Sequence, residues 1–336
     1  MRAGKHVRLA VAVKIVPARY KQAPCLRLEN EALRLLVLPG RGGNIASLFD
    51  KRADRELLYQ RPGDVLRPVP RGLRFEDAEC AGIDDMFPNA AAAAVETADG
   101  RRVRLPDHGE VWYRTLSARR MEDGVSLQYR SRRFPCFFEK RIRLSGPAVR
   151  MDYRVRHTGG PGFPFLWAAH PLFRAEPGME VLLPGGEAKA DIACAEGFVP
   201  SRVREAPLRN LPLEGGGILD LTRMPPAGMG CKYVLSRPVS KGWCALWAPK
   251  SRYAVEITFP PDRLPFLGIW MDARAGGPEE WQIAPEPSTQ KSIHLAERSA
   301  ADTGWAGSGR QSAWWIAFRA GPAHGAEPGG SGIRFY

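Results

Sequence analysis

No apolar run in the sequence approaches the ~18 residues that a membrane-crossing helix requires, so a helical membrane span is excluded. The cysteines (Cys25, Cys80, Cys136, Cys194, Cys231, Cys244) stand singly, with no CxxC pair. A zinc knuckle is thereby ruled out, and a disulfide framework has no spacing to support it. Reduced, mostly buried thiols in a cytoplasm are the plain reading. Neither GxGxxG nor GxxxxGK[ST] occurs, so no dinucleotide or P-loop cradle is signalled. Internal repeats are missing, and so are convincing long helices. The window 88–96 (PNAAAAAVE) has the alanines for one but is short and lacks an apolar stripe.

What is present is ordinary globular composition: 336 residues, 44% hydrophobic and 25% charged, which excludes a disordered chain. The 35 glycines and 30 prolines follow no period, so they mark many turns rather than collagen. A net charge of +13 keeps a nucleic-acid partner open at this stage. The N-terminal MRAGKHVRLAVAVKIVPARYKQ is basic with a short apolar stretch that Lys14 interrupts, and no small-residue cleavage site follows. It reads as leader-like by accident or as a first strand.

The dominant period is two. Val149, Met151, Tyr153 and Val155 alternate with Arg150, Asp152, Arg154 and Arg156. Residues 125–130 and 253–259 alternate in the same way, and each run predicts a strand with one buried and one wet face. Turn residues such as Asp123-Gly124 and Ser145-Gly146-Pro147 punctuate the gaps. The pattern predicts an antiparallel all-β sandwich or barrel, running without a break from about residue 25 to 319. Residues 1–320 are therefore read as a single domain, with 1–24 as an N-terminal segment or first strand. A last strand is expected at Ala313–Phe318 after a surface loop at 300–310, and 321–336 as a flexible, Gly- and Pro-rich tail.

Several clusters combine titratable groups with turns and aromatics. Arg41 lies in a glycine-rich turn, Leu38-Pro39-Gly40-Arg41-Gly42-Gly43-Asn44, and is either a ligand group or simply part of that turn. Asp84 and Asp85 pair two carboxylates that suit acid/base work or the capping of a turn. His108 stands between Asp107 and Gly109, just ahead of Glu110 and Trp112. His170 interrupts an apolar strand, where it is a satisfied core histidine or a general acid titrating near neutral pH. Glu286 sits between Pro285 and Pro287, which remove backbone donors and stiffen the position, while burial would make the carboxylate a better base.

The order of DDMFPN, LPDHGEVW, AAHPLF, GIWMD and IAPEP resembles the aldose 1-epimerase (galactose mutarotase-like) family. The likeness is greatest to its less characterised bacterial branch, where a DE-x-FP-T segment precedes LPDHGE-x-W. It extends from about Leu35 to Phe318. The resemblance implies an antiparallel β-supersandwich with few or no long helices. It implies His170 as general acid and Glu286 as general base, with His108, Asp272 and Arg41 contacting sugar hydroxyls. Asp85 and Trp112 are counted with the substrate-binding groups, and Trp167 and Trp270 offer further rings to stack on a pyranose or to pack the core. The implied reaction interconverts α and β anomers by ring opening and requires no metal, nucleotide cofactor or covalent intermediate. The implied partner is a monosaccharide or sugar phosphate, met by a monomer or homodimer without membrane or nucleic acid.

The galactose-specific branch carries Asn-His-x-Tyr-Phe-Asn at the acid, whereas this chain has Ala168-Ala169-His170-Pro171-Leu172-Phe173, so the sugar does not transfer. The phosphosugar branch adds basic residues, for which Arg41, Arg71 and Arg74 are available. A non-catalytic carbohydrate-binding protein on the same scaffold is the alternative. Nucleic acid, suggested by charge alone, is set aside because the arginines are interspersed with apolar positions along strands.

Overall fold

The computed structural model describes residues 13–70, 72–78, 81–97, 99–184, 189–194, 199, 203–274, 280–307, 311–326 and 332–336. Among these no residue is α-helical, and no helix is long and apolar enough to cross a membrane. The alanine window of 88–96 ends in a strand, Ala93–Glu96.

Among the described residues two large antiparallel sheets carry the fold. The first has twelve strands. Its centre runs Asn44–Asp50, Gly82–Met86, Ala168–Arg174, Gln282–Ser288, Phe266–Asp272 and Gly230–Leu235. The second has nine strands and is centred on Tyr253–Thr258, Gln311–Ala326, Ala148–His157, Cys136–Ser145 and Gly124–Arg130. One apolar cluster draws on both sheets, joining Ile45, Ile83 and Ile269 of the first to Phe138, Met151 and Ile316 of the second. Within it Trp167 is fully buried, its ring 4.5 Å from Tyr153 and 5.2 Å from Trp314, so it packs the core and does not line a ligand site.

One ion pair crosses this core. Lys140 Nζ donates to Asp85 Oδ2 at 2.8 Å and to the Gly43 carbonyl at 3.2 Å, and both side chains are sealed from solvent. Two charges survive burial only when paired and hydrogen-bonded.

Two sequence expectations are corrected. The strand expected at Ala313–Phe318 runs from Gln311 to Ala326, and Ile333–Phe335 pairs with it. The segment expected to be a flexible tail is thus partly sheet. Pro322 and Gly321 pair with Tyr253 and Ala254, and Ala323 is buried beside Trp243 and Ile333. Small residues there serve close packing, so composition alone misled. At the other end Lys14–Tyr20 is a strand paired with Ala23–Glu29, while residues 1–12 lie outside the described residues. Cys25, Cys136, Cys231 and Cys244 are buried free thiols and Cys194 an exposed one; Cys80 lies outside the described residues.

Candidate functional site

Five adjacent strands of the twelve-stranded sheet place the chemistry. In Gly82–Met86, Ile83 and Asp85 turn into the inter-sheet core, so the pleat turns Asp84 to the opposite face. His170 is Asp84's direct cross-strand partner and shares that face. Glu286 stands opposite Gly268, and Trp270 opposite Lys232. Gly268 leaves the space beside Glu286 free of a side chain, for a Cβ there would come within 3.6 Å of the Glu286 Cβ. Between the His170 and Glu286 strands the pairing is recorded at Ala168–Ser288 and resumes at Phe173–Ile283. Pro171, Pro285 and Pro287 lie in that interval and lack amide donors, so the two candidate side chains flank an interrupted ladder.

His170 Nε2 lies 3.7 Å from Glu286 Oε1. Lys232 Nζ donates to Glu286 Oε2 at 2.7 Å. Asp84 Oδ1 and Glu286 Oε1 are buried without a hydrogen-bond partner among the described residues, which is costly unless a ligand supplies donors. Sugar hydroxyls are donors of the required kind.

A loop supplies the wall. His108 has φ +55° and Gly109 φ +74°, and a Cβ on Gly109 would sit 2.1 Å from the Phe87 carbonyl oxygen. Glycine is therefore required there, and the tight turn presents His108. Asp107 braces it. One carboxylate oxygen lies 3.1 Å from His108 Nδ1 and the other accepts from the Phe75 amide at 2.7 Å, while the Asp107 carbonyl accepts from Trp112 Nε1 at 3.2 Å. The Phe75 ring stacks on His108 at 4.1 Å and lies 5.0 Å from the His170 ring. The two imidazoles are 5.8 Å apart, and Trp270 is 6.0 Å from His170. Phe75, itself backed by Trp112, thus forms the inner wall against which His108 rests.

Electrostatics follow from burial and neighbours. Burial pushes the His170 imidazolium down to about 4, against the pull of Glu286 and with help from Lys232 and His108. For Glu286, burial pushes upward, but Lys232, His170 and the Lys232 hydrogen bond together hold the carboxyl below its ordinary value. Burial raises Asp84 to about 6, opposed by Arg41 and a hydrogen bond with Asn44. The resting site therefore holds a neutral imidazole beside an ion-paired carboxylate.

The sequence-derived residues divide into groups. His170, Glu286 and His108 come together, with Trp270 beside them. Arg41 is buried near enough to act on Asp84. Asp85 is corrected: its carboxylate belongs to the core ion pair, and Asp84 is the member of the pair that faces the site. Trp112 is also corrected, since it is 1% exposed and supports Phe75 edge-on at 5.2 Å, leaving no face for a sugar. Asp272 shares the site face, but Arg274 holds both its oxygens, at 2.9 and 3.0 Å. Arg74 is at the surface with Asp77 and Glu76, and Arg71 lies outside the described residues. Sequence reasoning passed over Lys232, and of the Asp84–Asp85 pair it counted only Asp85 with the substrate-binding groups. A lysine inside the apolar run Cys231–Leu235 was the available signal for Lys232.

No protein-family model matches the chain, and no curated protein does. Solved structures do. A putative aldose 1-epimerase from Escherichia coli K12 is similar at 17% identity and TM-score 0.59, over 92% of this chain and 99% of its own. A galactose mutarotase-like protein from Lactobacillus casei ATCC 334 matches at 15% and 0.59, over 88% of this chain and 100% of its own. The Slr1438 protein from Synechocystis sp. PCC 6803 matches at 18% and 0.64, over 91% and 97%. The chain thus shares the galactose mutarotase-like fold across nearly its whole length.

Proposed function

We propose that this protein is an aldose 1-epimerase that interconverts the α and β anomers of an aldose or sugar phosphate. The observation that carries this reading is the 3.7 Å approach of His170 to Glu286 on a face where Asp84 and Glu286 each keep an unpartnered buried oxygen. Both reacting oxygens of a pyranose hang on C1, so one acid and one base a few ångströms apart reach both.

Glu286 carboxylate takes the O1 proton as the C1–O1 bond becomes a carbonyl and the C1–O5 bond breaks. The imidazolium of His170 gives its proton to O5. Rotation about C1–C2 offers the other carbonyl face, and the same steps run backward. Protons balance within the pair, and no metal, cofactor or covalent intermediate is needed. His108, Asp84 and Arg41 hold hydroxyls, and Trp270 offers a ring face to the pyranose. Buried thiols favour a cytoplasmic setting.

Lys232 favours a second reading. Its ammonium occupies Glu286 Oε2, which suits a sugar-binding protein that does not turn its ligand over. Polarimetry or exchange NMR on freshly dissolved aldoses and aldose phosphates separates the two. An epimerase accelerates anomer exchange of at least one of them. Calorimetric binding of a sugar without acceleration establishes the binder, and neither response with any aldose ends both readings.

A further inference from the structure

The outer face of the nine-stranded sheet, across the sandwich from the sugar site, gathers arginines. Alternation that buries Val149, Met151, Tyr153 and Val155 turns Arg150, Arg154 and Arg156 outward, and the neighbouring strand adds Arg141 and Arg143. Against these five stand Glu139 and Asp152, and each serves two arginines. Asp152 contacts Arg143 and Arg150; Glu139 lies 4.0 Å from Arg154 and 3.6 Å from Arg156. Positive charge remains in excess. Arg143 and Arg150 are also direct register partners, a like-charge pairing with only the shared Asp152 to offset it.

Aromatic rings lie among them. The Arg150 guanidinium stands 4.2 Å over Trp315 and that of Arg156 4.5 Å over Phe137. A surface cavity of about 270 Å³ opens between Arg141, Arg154 and Trp315. Interspersion with apolar residues, which in the sequence counts against a basic face, is what a period of two converts into one.

We propose that this face binds single-stranded nucleic acid. Phosphates would draw the guanidinium groups outward, and bases would stack on the rings and on the guanidinium planes thus released. An anionic membrane fits less well, because the rings lie beneath the arginines and project no apolar anchor. A duplex fits less well too, since the sheet offers no element to enter a groove.

The test is fluorescence anisotropy of a labelled oligo(dT) against salt concentration, on the full chain. Log affinity should fall with log salt by about 0.7 per phosphate neutralised. Arg141→Gln/Arg154→Gln/Arg156→Gln should weaken binding at least about tenfold and flatten the slope by about 2, as expected for three lost phosphate contacts. Trp315→Ala should weaken it about tenfold with an unchanged slope. Lys189→Gln/Lys250→Gln/Arg263→Gln, with the same charge loss elsewhere, should leave binding intact, and sugar anomerisation should be unaffected throughout. Unfolding midpoints check that the variants fold. Should the triple variant not fold, Arg141→Gln and Arg156→Gln singly, both at exposed positions, should each lower affinity a few-fold. Absence of binding at low salt overturns the proposal, as does equal weakening by the control variant. Equal competition by inorganic polyphosphate per phosphate, or preference for phosphatidylserine vesicles, overturns it also.

Discussion

Lys232 Nζ donates a 2.7 Å hydrogen bond to Glu286 Oε2, which sets its ammonium charge beside both groups that would act on a sugar. Its charge lowers the pKa of Glu286 and of His170 alike. With His170 titrating near 4, its acid form is a minority at neutral pH, so the rate should climb as pH falls from 7 and turn over where Glu286 protonates. Lys232→Met removes the charge that depresses both groups, so both limbs of the pH–kcat profile should move to higher pH. Lys232→Arg, which keeps the charge, should leave them near their original positions. Profiles that superimpose for wild type and Lys232→Met would show that Lys232 is not coupled to the reacting pair.

The Lys140–Asp85 pair gives a stability prediction. Lys140→Met leaves the Asp85 carboxyl in the core without its ammonium partner, at a cost of about 3–5 kcal/mol. Lys140→Met/Asp85→Leu should recover most of that loss, as read by denaturant unfolding. Because Asp85 faces away from the site, the double variant should also keep its anomerisation rate. A stable but inactive double variant would return Asp85 to the substrate-binding groups.

Phe75 supports His108, stacking on it at 4.1 Å with Trp112 behind it. Phe75→Ala removes the ring but keeps the backbone amide that Asp107 accepts from, so His108 loses its support and sugar should bind several-fold more weakly, as measured by calorimetry. Unchanged or tighter binding would show that Phe75 does not position His108 for the sugar.

The strands were legible because one face of each is dry and the other wet. The alternating runs at 125–130, 149–156 and 253–259 lie in Gly124–Arg130, Ala148–His157 and Tyr253–Thr258, the last reaching Thr258. His170 and Glu286 were legible as polar residues in apolar strands, and the prolines around Glu286 as a stiffened stretch without backbone donors. The choice between Asp84 and Asp85 was not legible. Adjacent strand residues face opposite ways, and only the buried partner Lys140, on the other sheet, settles which carboxylate turns inward. Lys232 was missed because its role arises from a register two strands away from Glu286, which no local motif encodes. The last strand was misread because Gly, Ala and Pro signal a loose tail in isolation and close packing beneath Trp243 in the fold.

The most direct test of the proposed chemistry is the anomerisation rate, by polarimetry or exchange NMR, of Glu286→Gln and His170→Asn against wild type on whichever aldose or aldose phosphate the wild type accelerates. Each variant should lose at least about 10²-fold while remaining folded, as removal of a general acid or base does. Full rates in both variants would contradict the assignment of His170 and Glu286 as the acid and base.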